Sequence, residues 1–255
     1  MYIFDYRDYT YERFGGFKKI IGQIAEGSYA TFISSEEFRS IFPRSSLKKI
    51  YISHNFTIED MKHREKKVSL RKSQEIIRIG YWGYIRDEQL NREIIRKIAA
   101  DKRFELHYYG KEQKIALRLK AYANAIQATN IFFHGAYIPE ERYEMVREID
   151  LVHNIFDDSN MMSAVSNKFY DGHVFYIPQL CMEGSFMEKQ VTSYGTGFAC
   201  NPYKDNFTEA VYCYYHHLDW SSFETLCDAV IERVYCEYKK GYHIIKKAIS
   251  DTDNV

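Results

Sequence analysis

The stretch IIRIGYWGYIRDEQLNREIIRKIAA, residues 76–100, decides the fold of this chain. Its first part, residues 76–82, is a short, mostly apolar run followed by Gly83, which is typical of a buried strand that ends in a tight turn. Its second part, residues 87–100, is rich in charge but carries apolar residues at helical spacing. These apolar residues are Leu90, Ile94, Ile95 and Ile98. The stretch therefore predicts a strand, a turn and a helix that lies on a sheet.

The same alternation of short apolar runs and amphipathic stretches continues along the chain. Further strands are predicted at 29–34, 49–53, 105–109, 130–134, 151–156, 175–180 and 198–200. Further helices are predicted at 13–26, 36–41, 111–128, 140–148, 167–173, 186–193, 204–217 and 221–249, the last with a break at Gly241. Strands separated by helices favour parallel pairing through right-handed crossovers. The predicted fold class is α/β, with a doubly wound, Rossmann-like parallel sheet.

Composition excludes several classes of protein. The chain has 255 residues, 45% of them hydrophobic and 27% charged, which argues against a disordered or low-complexity protein. Lys plus Arg and Asp plus Glu are both 35, so nothing in the net charge favours binding to nucleic acid, although a local basic pocket is compatible with it. No C-x-x-C or H-x-x-x-H pair occurs, so no metal site is expected, and the five cysteines are expected to be reduced core residues.

No apolar run approaches the ~18–20 residues of a membrane helix. The first residues alternate in charge and lack the apolar core of a signal peptide, so we expect a cytoplasmic protein. Lys239, Lys240, Lys246 and Lys247 near the end of the last predicted helix leave peripheral contact with the inner membrane face open, against the alternative of an ordinary solvated face.

The polar segment 57–75 interrupts the α/β pattern and is interpreted as a hinge or linker. The part before it, residues 1–56, is too short for a comfortable independent domain and is predicted to be a small, partial α/β segment. Residues 76–220 are predicted to form the main domain, and residues 221–255 to form closing helices.

Ligands of an open parallel sheet bind beyond the carboxyl ends of its strands. Three successive predicted strands end at Gly83, Gly110 and Gly135, a modest signal for a ligand edge. Arg86 follows the first of these turns just before a helix, where anions are favoured. The alternative interpretation is a simple capping turn in which Asp87 caps the helix.

The segment Ser166-Asn167-Lys168-Phe169-Tyr170-Asp171-Gly172 carries the most information about a site. Ser166 is a plausible N-cap, and Lys168 and Asp171 share one helix face at spacing i, i+3. A lysine near a helix start is unfavourable unless an anion is present, which makes Lys168 a candidate phosphate ligand, with Asp171 a candidate acceptor for the two hydroxyls of a ribose. Local chemistry leaves a surface Lys–Asp ion pair equally open.

The order of these features resembles the carboxyl-terminal part of the GT-B glycosyltransferases, and in particular the family-4-like enzymes of bacterial capsular and exopolysaccharide synthesis. The resemblance runs from about residue 29 to residue 202. The matching segments are Ser34-Ser35-Glu36-Glu37-Phe38, Tyr51-Ile52-Ser53-His54-Asn55, Ile79-Gly80-Tyr81-Trp82-Gly83-Tyr84-Ile85-Arg86, Leu106-His107-Tyr108-Tyr109-Gly110, Ile131-Phe132-Phe133-His134-Gly135, Ile149-Asp150-Leu151-Val152 and Ser166-Asn167-Lys168-Phe169-Tyr170-Asp171.

The resemblance implies a nucleotide-diphosphate sugar as donor substrate, with no metal or other cofactor. It implies that Arg86 and Lys168 hold the diphosphate and stabilise it as the leaving group, and that Asp171 binds the ribose. Gly83, Ser166 and Asn167 would line the phosphate and sugar pocket, and the backbone after Gly135 would lie near the base. Residues 76–220 would then be the donor-binding domain, and residues 1–56 a remnant of an acceptor-type domain, in which Asp5-Tyr6-Arg7-Asp8 resembles a late strand end.

Three departures from the family pattern leave two functions open. Asp171 stands where the family has glutamate, Ser163 stands where it has a second glutamate, and most of an acceptor domain has no counterpart, so the resemblance implies that the acceptor-side catalytic groups are absent. The chain is either a glycosyltransferase acting on a glycan or lipid-linked acceptor, or a non-catalytic nucleotide-sugar-binding subunit that needs a separate acceptor-domain chain. A related GT-B-fold epimerase would need carboxylate pairs, which the sequence does not indicate.

Overall fold

The computed structural model describes residues 1–9, 11, 14–65 and 75–253, and within them two parallel sheets. The smaller sheet has the strand order β1-β2-β3. Its strands are β1 Ile3–Tyr6, β2 Ala30–Ile33 and β3 Ile50–Ile52. The larger sheet has the order β6-β5-β4-β7-β8-β9. Its strands are β4 Ile77–Trp82, β5 Phe104–Tyr109, β6 Ile131–Gly135, β7 Leu151–Asn154, β8 Gln179–Met182 and β9 Gly197–Cys200.

The helices alternate with the strands along the chain. They are α1 Gly15–Gly27, α2 Ile58–Lys62, α3 Glu88–Ala99, α4 Lys114–Ala125, α5 Glu141–Met145, α6 Asn167–Val174, α7 Phe186–Tyr194, α8 Phe207–His217 and α9 Trp220–Asp253. Short 3-10 helices span Glu36–Ile41, Leu47–Lys49 and Val146–Glu148. This architecture confirms the predicted α/β class with its parallel, doubly wound main sheet and a small amino-terminal α/β segment.

The strand, turn and helix of residues 76–100 lie at the centre of the larger sheet. Ile79 of β4 pairs with Leu106 of β5 on one side and with Leu151 of β7 on the other. Asp87 caps α3, accepting a hydrogen bond of 2.9 Å from the backbone N–H of Leu90. The predicted apolar stripe of α3 is fully buried: Leu90, Ile94, Ile95 and Ile98. Burial of such a stripe against the strands is the main source of stability for this layer.

Several predicted elements differ in the structure. The strand predicted at 175–180 is wrong in position, because Phe175 and Ile177 still donate backbone hydrogen bonds to residues of α6, and β8 begins only at Gln179. The helix predicted at 36–41 is a 3-10 helix, and the helix predicted at 140–148 ends as one. β1 at Ile3–Tyr6 is not among the strands predicted from the apolar pattern, although the resemblance gave residues 5–8 as a strand end.

The last helix is continuous through Gly241, contrary to the predicted break. A Cβ atom at this position would lie 3.0 Å from Cε1 of Phe32 on β2, so glycine permits close packing of α9 against the smaller sheet. This contact helps to hold the two sheets together, and α9 also packs on β3, α6 and α7.

The polar segment predicted as a hinge contains the short helix α2, and its residues 66–74 lie outside the described residues, as does Arg13 at the start of the predicted helix 13–26. Cys181, Cys200 and Cys227 are buried as predicted, whereas Cys213 and Cys236 are exposed, and none of the five forms a disulfide. Among the described residues, no helix combines the length and the apolar character that crossing a membrane requires.

Candidate functional site

The strand order of the larger sheet reverses between β4 and β7. From β4 the chain proceeds outward to β5 and β6, and it then returns to place β7, β8 and β9 on the opposite side. Crossovers on opposite faces leave a crevice at the carboxyl ends of the two central strands, the usual ligand position in such sheets. A cavity of about 570 Å³ lies there. It is bounded by the turn after β4, the start of α6 and residues of the smaller sheet.

Six of the seven predicted site residues line this one cavity. They are Gly83, Arg86, Ser166, Asn167, Lys168 and Asp171. The seventh, Gly135, does not line it: this residue ends β6, where its carbonyl oxygen accepts a hydrogen bond of 2.7 Å from the backbone N–H of Gly110. Tyr137, two residues further along, does reach the cavity. The structure thus brings together segments that are about 80 residues apart in sequence.

Lys168 is buried, with 7% of the residue exposed, and this overturns the alternative of a surface Lys–Asp pair. Its Nζ donates a hydrogen bond of 3.3 Å to the carbonyl oxygen of Trp82 and lies 4.2 Å from the ring centre of Tyr81. Burial lowers the pKa of Lys168 to about 7, with a further lowering by Arg86 and an opposing effect of Asp171. A bound anion would favour the protonated form, so Lys168 is suited to hold one.

Asp171 faces Lys168 from one turn further along α6 and is also buried. Its Oδ2 accepts a hydrogen bond of 2.7 Å from Nε1 of Trp82, and its Oδ1 lies 3.4 Å from Nη1 of Arg142. Burial raises the pKa of Asp171 to about 6, against the lowering effects of Arg142 and Trp82. The carboxyl group is therefore mostly ionised at neutral pH and can accept hydrogen bonds from a ligand.

Ser166 occupies the N-cap position of α6, but its side chain does not cap the helix. Its hydroxyl donates to Oδ1 of Asn154 at 2.6 Å, and Asn154 in turn donates to Oε1 of Gln179 at 2.8 Å. Ser166 is therefore the N-cap residue as predicted, but its hydroxyl is directed at Asn154 and not at the first-turn N–H groups. The first-turn N–H groups of α6 remain uncapped by Ser166, which favours an anion at this helix start.

The turn after β4 presents open backbone to the cavity. Gly83 has a φ of +104°, and a Cβ atom built there would have nothing within 4 Å, so a ligand can approach the main chain closely. Asp87 caps α3 as the alternative interpretation proposed, and Arg86 lines the cavity as well, so both interpretations of this turn hold.

Several further residues that line the cavity were not among the predicted site residues. Arg7, Asp8, Ser34 and Asn55 reach it from the smaller sheet, and Tyr137 and Arg142 from the segment after β6. Asn55 donates a hydrogen bond from Nδ2 to Oδ1 of Asn167 on α6. For the residues from the smaller sheet, the sequence signals were the matched segments that begin at Ser34 and end at Asn55 and the strand end at residues 5–8.

Charge is concentrated at the cavity although the whole chain is neutral. Four cationic side chains and two carboxylates line it: Arg7, Arg86, Arg142, Lys168, Asp8 and Asp171. Ser163, where the family pattern has a glutamate, offers no carboxylate, and its carbonyl oxygen accepts a hydrogen bond of 2.6 Å from Ser35. The arrangement suits a doubly charged anion attached to a hydroxyl-bearing group. No cluster of three or more His, Cys, Asp or Glu suited to a metal ion occurs in the described part of the chain.

Comparisons with known proteins place the fold. No protein-family model matches the chain, and no curated protein matches it in sequence. Its structure is similar to that of the Anabaena HepE protein in complex with UDP and glucose, with a TM-score of 0.72, 10% identity, and coverage of 96% of this chain and 71% of HepE.

Two further solved structures are similar to this chain. A glycosyltransferase from Rickettsia africae aligns with a TM-score of 0.67 and 12% identity, over 96% of this chain and 70% of that protein. Sucrose-phosphate synthase from Thermosynechococcus elongatus aligns with a TM-score of 0.67 and 11% identity, over 92% of this chain and 63% of that protein. At this level of identity the likeness establishes the fold alone: the chain has the fold of the GT-B glycosyltransferases.

Proposed function

We propose that the cavity binds a nucleoside-diphosphate sugar and that the chain takes part in transferring this sugar to an acceptor hydroxyl. The observation that carries the proposal is the buried Lys168 at the start of α6, beside Arg86 and the open backbone of Gly83, with Asp171 one turn away. The similar HepE structure contains UDP-glucose in one complex and UDP with glucose in another, which supports the choice of ligand.

In the proposed step, the bond between C1 of the sugar and the diphosphate oxygen breaks, and its electron pair stays on the diphosphate. The acceptor oxygen forms the new bond to C1 and gives up its proton to solvent water. Lys168, Arg86 and the first-turn N–H groups of α6 stabilise the charge that develops on the leaving group, an effect worth ~10²–10³ in rate for a single well-placed donor. Asp171 accepts hydrogen bonds from the ribose, and Ser166, Asn167 and Gly83 surround the phosphates and sugar.

The proposal extends to the identity of the acceptor. By the resemblance to family-4-like enzymes, the acceptor is a glycan or a lipid-linked sugar of a bacterial surface polysaccharide. The second candidate is a nucleotide-sugar-binding subunit that needs a separate acceptor-domain chain. The smaller sheet, which has three strands among the described residues, supports this second candidate.

Calorimetric titration of the purified chain with UDP-glucose, GDP-mannose, UDP, GDP, ADP and CMP tests the ligand class. We expect at least one diphosphate ligand to bind, and CMP to bind more weakly because it has a single phosphate. Absence of binding by all six at millimolar concentration would overturn the proposal. Release of free sugar from the bound donor by the chain alone would favour the transferase over the binding subunit.

A further inference from the structure

Arg142 lies between two carboxylates that belong to different parts of the chain. Its Nη2 donates to Oδ1 of Asp60 on α2, and its Nη1 lies 3.4 Å from Oδ1 of Asp171 on α6. Both carboxylates are buried, with 6% of Asp60 and 3% of Asp171 exposed. The guanidinium therefore links α2, which lies in the predicted hinge segment, to the candidate nucleotide site.

Asp60 is held firmly in this arrangement. Its Oδ2 accepts a hydrogen bond of 2.6 Å from the hydroxyl of Thr57, and its Oδ1 accepts one of 3.1 Å from the hydroxyl of Tyr143. The Tyr143 ring stacks on His63 with the ring centres 3.7 Å apart. A carboxylate with this many fixed partners restricts the guanidinium that it binds.

The two oxygens of Asp171 have different environments. Oδ2 is engaged by Trp82 at 2.7 Å, whereas Oδ1 is at 3.4 Å from Arg142, a long distance that leaves most of its hydrogen-bonding capacity unused. Arg142 thus stabilises the charge of Asp171 without occupying the oxygen that a ribose hydroxyl needs.

We propose that Arg142 is a positioning residue, anchored by Asp60, that keeps Asp171 ionised and its Oδ1 directed at the nucleoside. This inference rests on the proposed nucleotide-sugar site and adds to it: residues of the predicted hinge segment influence ligand affinity through Arg142. Neither Asp60 nor Arg142 needs to contact the ligand for this role.

The groups around Asp171 determine how ligand affinity should depend on pH. The charged and titratable groups around it are Arg142 on α5, Asp60 on α2, Lys168 on its own helix and Tyr137 after β6. Burial raises the pKa of Asp171 to about 6, Arg142 lowers it and Asp60 raises it. Loss of Arg142 would therefore raise this pKa further, and the carboxyl group would be neutral over part of the range in which the natural protein keeps it charged.

The test measures the affinity for UDP-glucose by calorimetry between pH 5.5 and pH 8.5, because the diphosphate of this ligand has no proton that titrates in this range. In the natural protein we expect affinity to fall as the pH drops through about 6, where Asp171 takes up a proton. Affinity should also fall above about pH 7, where Lys168 loses its proton, so each variant is compared with the natural protein at the same pH. In Arg142→Gln we expect the fall at acid pH to begin about one pH unit higher, so that affinity relative to the natural protein is reduced about fivefold at pH 6 and less than about threefold at pH 8.5. Arg147→Gln, on the 3-10 helix that follows α5, is the matched control and should behave like the natural protein.

Asp60→Asn, alone and combined with Arg142→Gln, tests the anchoring step. If Asp60 acts through Arg142, Asp60→Asn weakens binding in the natural background. It does not weaken binding in the Arg142→Gln background, because only the direct effect of Asp60, which raises the pKa of Asp171, is then removed. Equal effects in the two backgrounds would overturn the anchoring role. If Arg142→Gln does not fold, Arg142→Lys replaces it: the charge remains but the forked geometry is lost, and we expect a weaker affinity with an unshifted acid limb.

The same measurements distinguish a failure of the proposed function from a failure of the positioning role of Arg142. If the natural protein binds no nucleotide sugar, the proposed function itself is wrong. If the natural protein binds UDP-glucose and Arg142→Gln weakens binding equally at pH 6 and pH 8.5, or leaves it unchanged, the positioning role of Arg142 is overturned while the proposed function stands.

Discussion

The two walls of the cavity differ in how far they exclude water. The wall of the larger sheet is buried at its centre, where Lys168 is 7% exposed and Asp171 3%, whereas Arg86 and Asn167 at its margin are exposed. The wall of the smaller sheet is open, because the Arg7 side chain is 44% exposed and Asp8 and Asn55 are exposed as well. Charges act more strongly where water is excluded, so the buried wall should carry the affinity for a ligand. The open wall is suited to contacts that change, such as those with an acceptor.

The largest effect is expected at the centre of the buried wall. Lys168→Met removes the ammonium but keeps the length of the side chain, and we expect binding of UDP-glucose at pH 7 to weaken by about 10- to 100-fold, the usual range for a charge-assisted hydrogen bond. Calorimetry measures the change, and Lys111→Met, an exposed lysine on the same edge of the sheet, is the matched control. Uridine, which has no phosphate, should bind both proteins alike, and an equal loss for uridine would contradict the phosphate role.

A second effect follows from the low pKa of Lys168. At pH 8 the side chain is mostly neutral, because burial lowers its pKa to about 7. A diphosphate raises this pKa again, so binding of UDP-glucose at pH 8 should take up about one proton. Comparison of binding enthalpies in Tris and HEPES buffers counts these protons. Uptake should vanish in Lys168→Met, and undiminished uptake in that variant would assign the proton to another group.

A third, smaller effect is expected on the free energy of unfolding, from a contact that links the two walls of the cavity. His54 near the end of β3 contacts the hydroxyl of Tyr170 at 3.0 Å and Oε2 of Glu237 on α9 at 2.7 Å. The hydrogen bond with His54 lowers the pKa of Glu237, so its stabilising effect is present above the usual carboxyl pKa of 4.5 and is lost as the pH falls through the lowered value.

Glu237→Gln should therefore reduce the free energy of unfolding by about 1 kcal/mol at pH 7 and by less at pH 3.5. Urea denaturation at the two pH values measures this, with Glu232→Gln, an exposed site on the same helix, as control. A reduction of the same size at both pH values would exclude an ionic contribution.

The smallest effect is expected on the open wall. Arg7 forms an exposed ion pair with Asp5 at 2.8 Å, and exposed charges of this kind contribute little. Arg7→Ala should weaken UDP-glucose binding by less than about threefold, and the difference should disappear at high salt. A loss as large as that of Lys168→Met would reverse the assignment of the two walls.

The part of the site that is local in sequence was predictable. Ser166, Asn167, Lys168 and Asp171 lie within six residues at one helix start, and the parallel sheet necessarily brings the turn with Gly83 and Arg86 to the same edge. The burial of Lys168 was not predictable, because it depends on Tyr81 and Phe156, which belong to other strands and loops.

Contacts between residues that are far apart in the sequence could not be predicted from it. Arg142 and Asp60 are 82 residues apart, and Trp82 and Asp171 are 89 apart. Arg142 stands among charged neighbours on a predicted amphipathic helix, so nothing local marks it. The misplaced strand at 175–180 has a similar cause: the apolar run Phe175-Tyr176-Ile177 suits either a strand or a buried helix end, and tertiary packing selects the latter.

The most direct test of the central claim is a crystal structure of the chain with UDP-glucose. We expect the diphosphate at the start of α6, with its oxygens within hydrogen-bond distance of Nζ of Lys168 and of the side chain of Arg86, and a ribose hydroxyl on Oδ1 of Asp171. A nucleotide bound elsewhere, or one in this cavity whose phosphates contact only the open wall at Arg7 and Asn55, would contradict the account.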